Sequence, residues 1–488
     1  MKTNTALAVL AALGGAHAFW RMECHGQVGL ARIDPLVNPD EVGQHVHAIH
    51  GSSGFSMKAT YDDLINADCT SCAVRQDKSV YWAPALYFQH ANGTFQYVEQ
   101  AGGMLAYYFL NPDRNDPNGK ITAFPRDFRM IAGDSLRRNY SVGDPKAVDP
   151  EKSLWASLGQ TSQLDLEQRA LGFNCLNYKK DPEGSLFRHY LPDKEYLDAN
   201  CHDGIRIEIM FPSCWNGKDV DSPDHKSHVA YPDLTMDGFC PKGFETRLPG
   251  LFYETIWQTN AFAGTPGRFV LSNGDVHGFG YHADFMMGWD VDFLQQAVNT
   301  CTNSSGRISD CPIFDIQSPD EERSCQMQQP RVLANELVAG LVGDTLPGGV
   351  PIQDGPGPAT MKNPGPATSS VEVPTVTYAP GVKPTDTAYL PGQVLHEPSS
   401  STSTPTSTSS AEAEMNALAQ PATTPAPTSL PVDDGKYSVV RTEYITDGNV
   451  VNMIVVKEAV EYVTVTTTTV MAPKARRHLH RHGRRHHH

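Results

Sequence analysis

Ile205-Arg206-Ile207-Glu208-Ile209-Met210-Phe211 is the stretch that sets the fold class. Isoleucine recurs at every second position with Arg206 and Glu208 between, which is the two-residue period of a β-strand with one apolar and one polar face. β-Branched side chains also favour the pleated backbone over the helix. Val80-Tyr81-Trp82-Ala83-Pro84-Ala85-Leu86-Tyr87-Phe88 and Met104-Leu105-Ala106-Tyr107-Tyr108-Phe109-Leu110 add aromatic and aliphatic runs bordered by turn residues. Helical patterns are confined to Asp292 to Asn299 and Glu321 to Val342. The expectation is a mainly β domain, a β-sandwich or jelly-roll-like fold with a few helices.

Cysteines should staple it. The 488-residue chain has ten, from Cys24 to Cys325, an even number that allows five bridges with the pairing left open. Cys69-Thr70-Ser71-Cys72 has the spacing of a redox motif or half a zinc site, but with no second such pair it reads as structural disulfides. Residues 1–18 read as a signal peptide, with Lys2, an apolar Leu7–Leu13 core and Ala16-His17-Ala18 before the cut. No later run is long and apolar enough to span a bilayer, so a freely secreted protein is expected. The sequons at Asn92, Asn139 and Asn303 predict N-linked glycans.

Residues 19–342 have globular composition. Residues 343–435 are rich in Pro, Thr and Ser and read as a disordered, O-glycosylated linker. Residues 436–471 alternate again around Asp447-Gly448-Asn449, a hairpin signal, with a third strand-like run from Tyr462 to Thr467. Residues 472–488 form a basic, His-rich tail. The formal charge of −16 argues against a nucleic-acid partner of the usual basic kind.

Chemistry gathers at the histidines. In Gln44-His45-Val46-His47-Ala48-Ile49-His50-Gly51 the alternation puts His45 and His47 on one face of a strand, with His50 able to join after it. Two later loops, Asp221 to His228 and Asp275 to Asp284, contribute His225, His228 and His282 beside Asp221 and Asp284. Imidazoles suit zinc or copper, so His45, His47 and His228 form one candidate metal set, with His225 and His282 as other completions. Without a metal, a histidine base oriented by Asp284 or Asp221, with Arg206 holding an anionic substrate, is the second reading. Glu208 is a further candidate acid, and all three histidines of the first cluster could instead be hydrogen-bonded core residues. Trp215, Asn216, Lys218, Asp221 and Arg32 are candidate substrate contacts; Trp215 could be a sugar platform or core. The His-x-His spacing is similar to that of cupins, but Ala48-Ile49-His50-Gly51 lacks the glutamate they place next.

Gly29-Leu30-Ala31-Arg32-Ile33-Asp34-Pro35, the 45–51 stretch, Tyr81-Trp82-Ala83-Pro84-Ala85-Leu86, Phe211-Pro212-Ser213-Cys214-Trp215-Asn216-Gly217-Lys218-Asp219 and Tyr281-His282-Ala283-Asp284-Phe285-Met286-Met287-Gly288-Trp289 occur in the order that resembles DUF1996, a family of secreted fungal proteins of unknown function. The resemblance runs from Phe19 to Cys325 and implies a cell-wall setting and polysaccharide partners, with no catalytic residues to carry over. The expected function is a carbohydrate-active enzyme, a polysaccharide lyase or glycoside hydrolase. A non-catalytic glycan-binding or stress-protective protein, using Trp215 and Trp82, and a metal-binding protein are the alternatives.

Overall fold

The 205–211 stretch forms the strand Ile205–Met210, paired antiparallel with Leu171–Cys175 on one side and Gly250–Trp257 on the other. The computed structural model describes residues 18–360, 438–447 and 450–458. Gln100–Leu110 and Ala18–Cys24 complete this first five-stranded sheet beyond Gly250–Trp257. The second five-stranded sheet runs Gly29–Ala31, His47–Gly51, Val80–Pro84, His282–Met286, Arg129–Gly133.

The two sheets pack face to face. Tyr81 of the second meets Tyr253 of the first edge-on at 5.4 Å, and its hydroxyl lies 2.7 Å from that of Tyr108. Ile205, Ile207 and Ile209 all point into this shared core and are fully buried. Each such side chain contributes about 1.5–3 kcal/mol by leaving water. The mainly β, disulfide-stapled architecture therefore holds, with five bridges: Cys24–Cys72, Cys69–Cys325, Cys175–Cys201, Cys214–Cys240 and Cys301–Cys311. The two cysteines of the 69–72 motif go to different partners, so they form no redox pair.

Three details depart from the sequence reading. The polar face of Ile205–Met210 is not solvated: Glu208 is fully buried, with Leu186, Asn174 and Gly172 against its carboxyl, and Met210 on the same face packs in an apolar cluster with Leu166, Trp155 and Tyr231. The 80–88 run splits at Ala85, and Leu86–His90 turns away into a four-stranded sheet with Gly267–Leu271, Phe95–Tyr97 and Leu341–Gly343. The helix expected from Glu321 to Val342 is only Pro319–Ser324. Beyond it Cys325 reaches for Cys69 and Met327 N–H donates to Val28 O at 2.9 Å, which holds the chain extended.

Packing also continues past Val342. Leu346 is fully buried and Ala359 N–H donates to Leu136 O at 2.8 Å, so residues 346–360 form a strap over the domain. Separately, Ser438–Asp447 and Val450–Glu458 pair antiparallel on either side of the expected turn. The signal peptide, the third run and the basic tail lie outside the described residues. Among the described residues no helix is long and apolar enough to cross a membrane.

Candidate metal centre

The outer face of the second sheet carries the densest unsatisfied polar chemistry. His47 opens its strand opposite Pro84, and His282 opens the His282–Met286 strand opposite Gly133. With Asp284 opposite Trp82, the same register sets His282 beside Pro84, so both imidazoles rise around one small ring. Gly133 has φ +78°, and a Cβ there would come within 2.4 Å of Tyr281 O, so a side chain is excluded beneath His282. His45 lies in the bend just before the strand rather than within it, yet its ring is 4.3 Å from that of His47.

One ligand nitrogen from each of His45, His47 and His282 lies within 4.8 Å of the others. The tautomers follow from the partners. His47 Nδ1 faces Ile33 O and His282 Nδ1 faces Gly280 O, each at 3.0 Å. A carbonyl only accepts, so both Nδ1 atoms carry the proton and both Nε2 atoms keep a lone pair. His47 Nε2 is buried with no partner among the described residues, and His282 Nε2 is 3.1 Å from His45 Nε2. A ring N–H held by a main-chain carbonyl is the usual way a protein orients a metal-ligating histidine.

Burial is the main cause of the depressed basicity of all three. It holds His47 at about 3, with His282 adding and the Ile33 bond opposing. His282 sits at about 4, and His45 falls well below its ordinary value with help from His47, His282 and Arg138. The site is therefore neutral at ordinary pH, with lone pairs available to a cation.

Two carboxylates border the imidazoles. Asp284 is fully buried, and neither of its oxygens has a hydrogen-bond partner among the described residues. Burial raises its pKa well above the usual range; Asp34 adds to this and Lys226 opposes it. Asp34 Oδ1 accepts from Leu36 and Val37 N–H at 3.2 and 3.1 Å, but burial prevails and lifts the acid to about 6. Both line a cavity of about 40 Å³ with His45 and His282, room enough for a water molecule. His45 also lines a second, larger cleft of about 190 Å³, walled by Arg32, Ser135, Arg138 and the strap.

The remaining sequence candidates lie elsewhere. His282, not His228, completes the triad: His228 spends Nδ1 on Ser222 Oγ and Nε2 on Arg129 O, both at 2.9 Å. His50 points to the opposite face of its strand, where Nε2 meets Gln100 Oε1 at 3.0 Å between the sheets. His225 pairs with Asp221 at 2.7 Å. Arg206 is locked to Glu208 at 2.6 Å on the outer face of the first sheet, so neither can serve this centre. Trp215 is 9% exposed with its N–H on Asp219 O, and Trp82 is fully buried, so neither is a sugar platform. Asn216 only orders the turn, bonding Lys218 and Asp219 N–H, and Lys218 is a solvated side chain. Arg32 does reach the larger cleft. Asp34, Ser135, Arg138 and Asn273 had no distinguishing pattern in the sequence; only the Gly133-Asp134 turn and the Arg137-Arg138 doublet mark that loop.

Comparison with known proteins yields one match. A family described as a domain of unknown function, DUF1996, covers residues 34–289, more than half of the chain. That span includes the three histidines, Asp34, Arg138 and Asp284, but neither Arg32 nor the strap. No curated protein and no solved structure matches.

Proposed function

We propose that this chain, which belongs to the DUF1996 family, is a metal-dependent enzyme of the extracellular space that cleaves polysaccharide at His45, His47 and His282. The observation that carries the reading is the convergence of three neutral, buried imidazoles, two of them with Nδ1 pinned by carbonyls and Nε2 turned to a common point. Three nitrogen donors with a fourth position left over is the ligand count of catalytic rather than structural zinc, and it also suits copper. Bound there, the ion would act as a Lewis acid toward a water or a substrate oxygen. The chain's own part is to exclude bulk water by burying all three rings, to hold Asp34 and Asp284 beside a water-sized space, and to admit substrate past His45 from the larger cleft. Asp34, lifted to about 6, can take up a proton near neutral pH. Five disulfides and three exposed sequons suit the extracellular setting, where glycans are the abundant polymers.

The test is direct. The full chain, dialysed against zinc or copper, should retain one equivalent more than His47→Ala or His282→Ala, the His-rich tail contributing equally to all three, and both variants should keep the wild-type circular dichroism. Reducing ends or unsaturated uronide absorbance should appear on a polysaccharide panel, vanish on chelation and return with metal. A wild-type protein that retains neither metal defeats the reading.

A further inference from the structure

We infer that the cleft outside His45 is a subsite for the carboxylate of an acidic sugar, a uronate residue of the substrate; this rests on the reading of the histidine centre as the place of cleavage. The chain as a whole carries a formal charge of −16. The wall of this cleft runs against that balance: it contains Arg32 and Arg138 and not one aspartate or glutamate.

Arg138 is the deeper of the two cations. Its guanidinium is buried and donates to four main-chain oxygens, those of Ser135, Arg137, Asn273 and Gln353, at 2.7–3.1 Å. No carboxylate lies within ion-pair distance of it among the described residues; Asp275 and Asp134 act on it from further off, and its direct partners are neutral main-chain oxygens. Its field already reaches the centre, being among the causes that lower the basicity of His45 and His282. Arg32 stands nearer the mouth. It gives Nε to Glu336 and Nη1 to Gly43 O, at 2.7 and 2.9 Å, and Nη2 has no hydrogen bond among the described residues.

The strap fixes this arrangement. A Cβ on Gly348, whose φ is +77°, would stand 3.0 Å from Arg32 Cδ and from Gln44 O, so glycine lets the strap lie directly on the arginine. Val42, Leu136, Val350 and Pro351 supply apolar wall beside the cations. A pyranose ring offers C–H faces to such a wall, and a carboxylate on it would meet the guanidinium groups, which favour planar oxyanions. A neutral sugar would offer the two guanidinium groups no anion.

Calorimetric titration of the zinc-loaded full chain with oligogalacturonate, the matching neutral galactan oligomer, acetate and inorganic phosphate decides the matter. Oligogalacturonate should bind at least tenfold more tightly than the other three. Arg32→Gln should weaken it tenfold or more with zinc content unchanged. Because that change also removes the partner of Glu336, Thr360→Asp is the second variant: it adds an anion at the exposed rim and should weaken oligogalacturonate alone. Equal binding of the neutral oligomer overturns the inference, as does oligogalacturonate binding that neither variant alters. Acetate or phosphate binding as tightly as oligogalacturonate also overturns it, as a small-anion site only. Zinc retention in the same samples separates these failures from failure of the metal centre itself.

Discussion

Glu208 and Asp284 are both fully buried carboxylates, one in each of the two facing sheets, and their surroundings are opposite. Glu208 accepts from Arg206 Nε at 2.6 Å, from Asn174 Nδ2 at 3.0 Å and from Leu186 N–H. Asp284 accepts from nothing among the described residues. The histidines divide the same way: His189 and His228 engage both ring nitrogens, whereas His47 leaves Nε2 bare in the interior. A buried polar group without a partner costs about 1–3 kcal/mol, and a fold that gathers several on one face retains them for a reason other than stability. The first sheet's outer face engages its carboxylate, though Asn174 Oδ1 is left over; on the second, Asp284 and His47 Nε2 have no partner among the described residues.

The contrast can be broken at four points, the largest effect first. Glu208→Ala should cost about 3–5 kcal/mol in urea denaturation, because it opens a cavity, leaves Leu186 N–H without its acceptor and leaves Arg206 with only Glu254 at 3.6 Å, and should leave zinc content untouched. A zinc loss comparable to that of His282→Ala would merge the two regions into one. Next comes Glu167, which pairs with Arg137 and Lys226 beside the centre. Burial would raise its pKa, but Lys226 and Arg137 prevail and hold it at about 2 against an ordinary 4.5. Its stabilisation is therefore complete above the ordinary value and is lost as the pH falls toward 2. About 3 kcal/mol of acid sensitivity should be missing from the stability–pH curve of Glu167→Gln.

Zinc at a hundred times its dissociation constant should stabilise the wild type by about 2.7 kcal/mol. Thermal melts should show that gain abolished in His282→Ala and preserved in His228→Ala, and equal gains in both would place the ion elsewhere. The smallest effect is Asp284→Asn, a change of about 1 kcal/mol or less without metal, since there is no hydrogen bond to lose. A loss approaching that of Glu208→Ala would erase the distinction.

Much of the architecture was legible because strand periodicity is local. Ile205–Met210 and the helix Val291–Thr300 follow from their own residues, and Asp290 caps the latter by accepting from Phe293 N–H at 2.8 Å. The helix expected after Glu321 failed because a remote constraint, the bridge to Cys69, outranks local propensity. The site divides similarly. His45 and His47 are brought together by two-residue spacing, which can be read directly. His282 and His228 were equivalent as sequence, each in a loop with aspartates nearby. Only the register that sets His282 beside Pro84, and the engagement of both nitrogens of His228, distinguish them. Arg138 was invisible because its place in the cleft wall comes from main-chain oxygens of four separate positions, those of Ser135, Arg137, Asn273 and Gln353, which leave no side-chain pattern in the sequence.

The divergent fates of Cys69 and Cys72 impose an order on synthesis. Cys72 bonds to Cys24, 48 positions earlier, whereas Cys69 must wait for Cys325, 256 positions later. A chain emerging N-terminus first can make the short bridge early, while the Cys69 thiol stays reduced or is held by a provisional partner. His45 and His47 are exposed in the same interval, before His282 exists to join them. The long bridge can therefore form only after all three histidines have been made, and it draws the segment around Cys325 over the outer face of the second sheet before the strap is laid down.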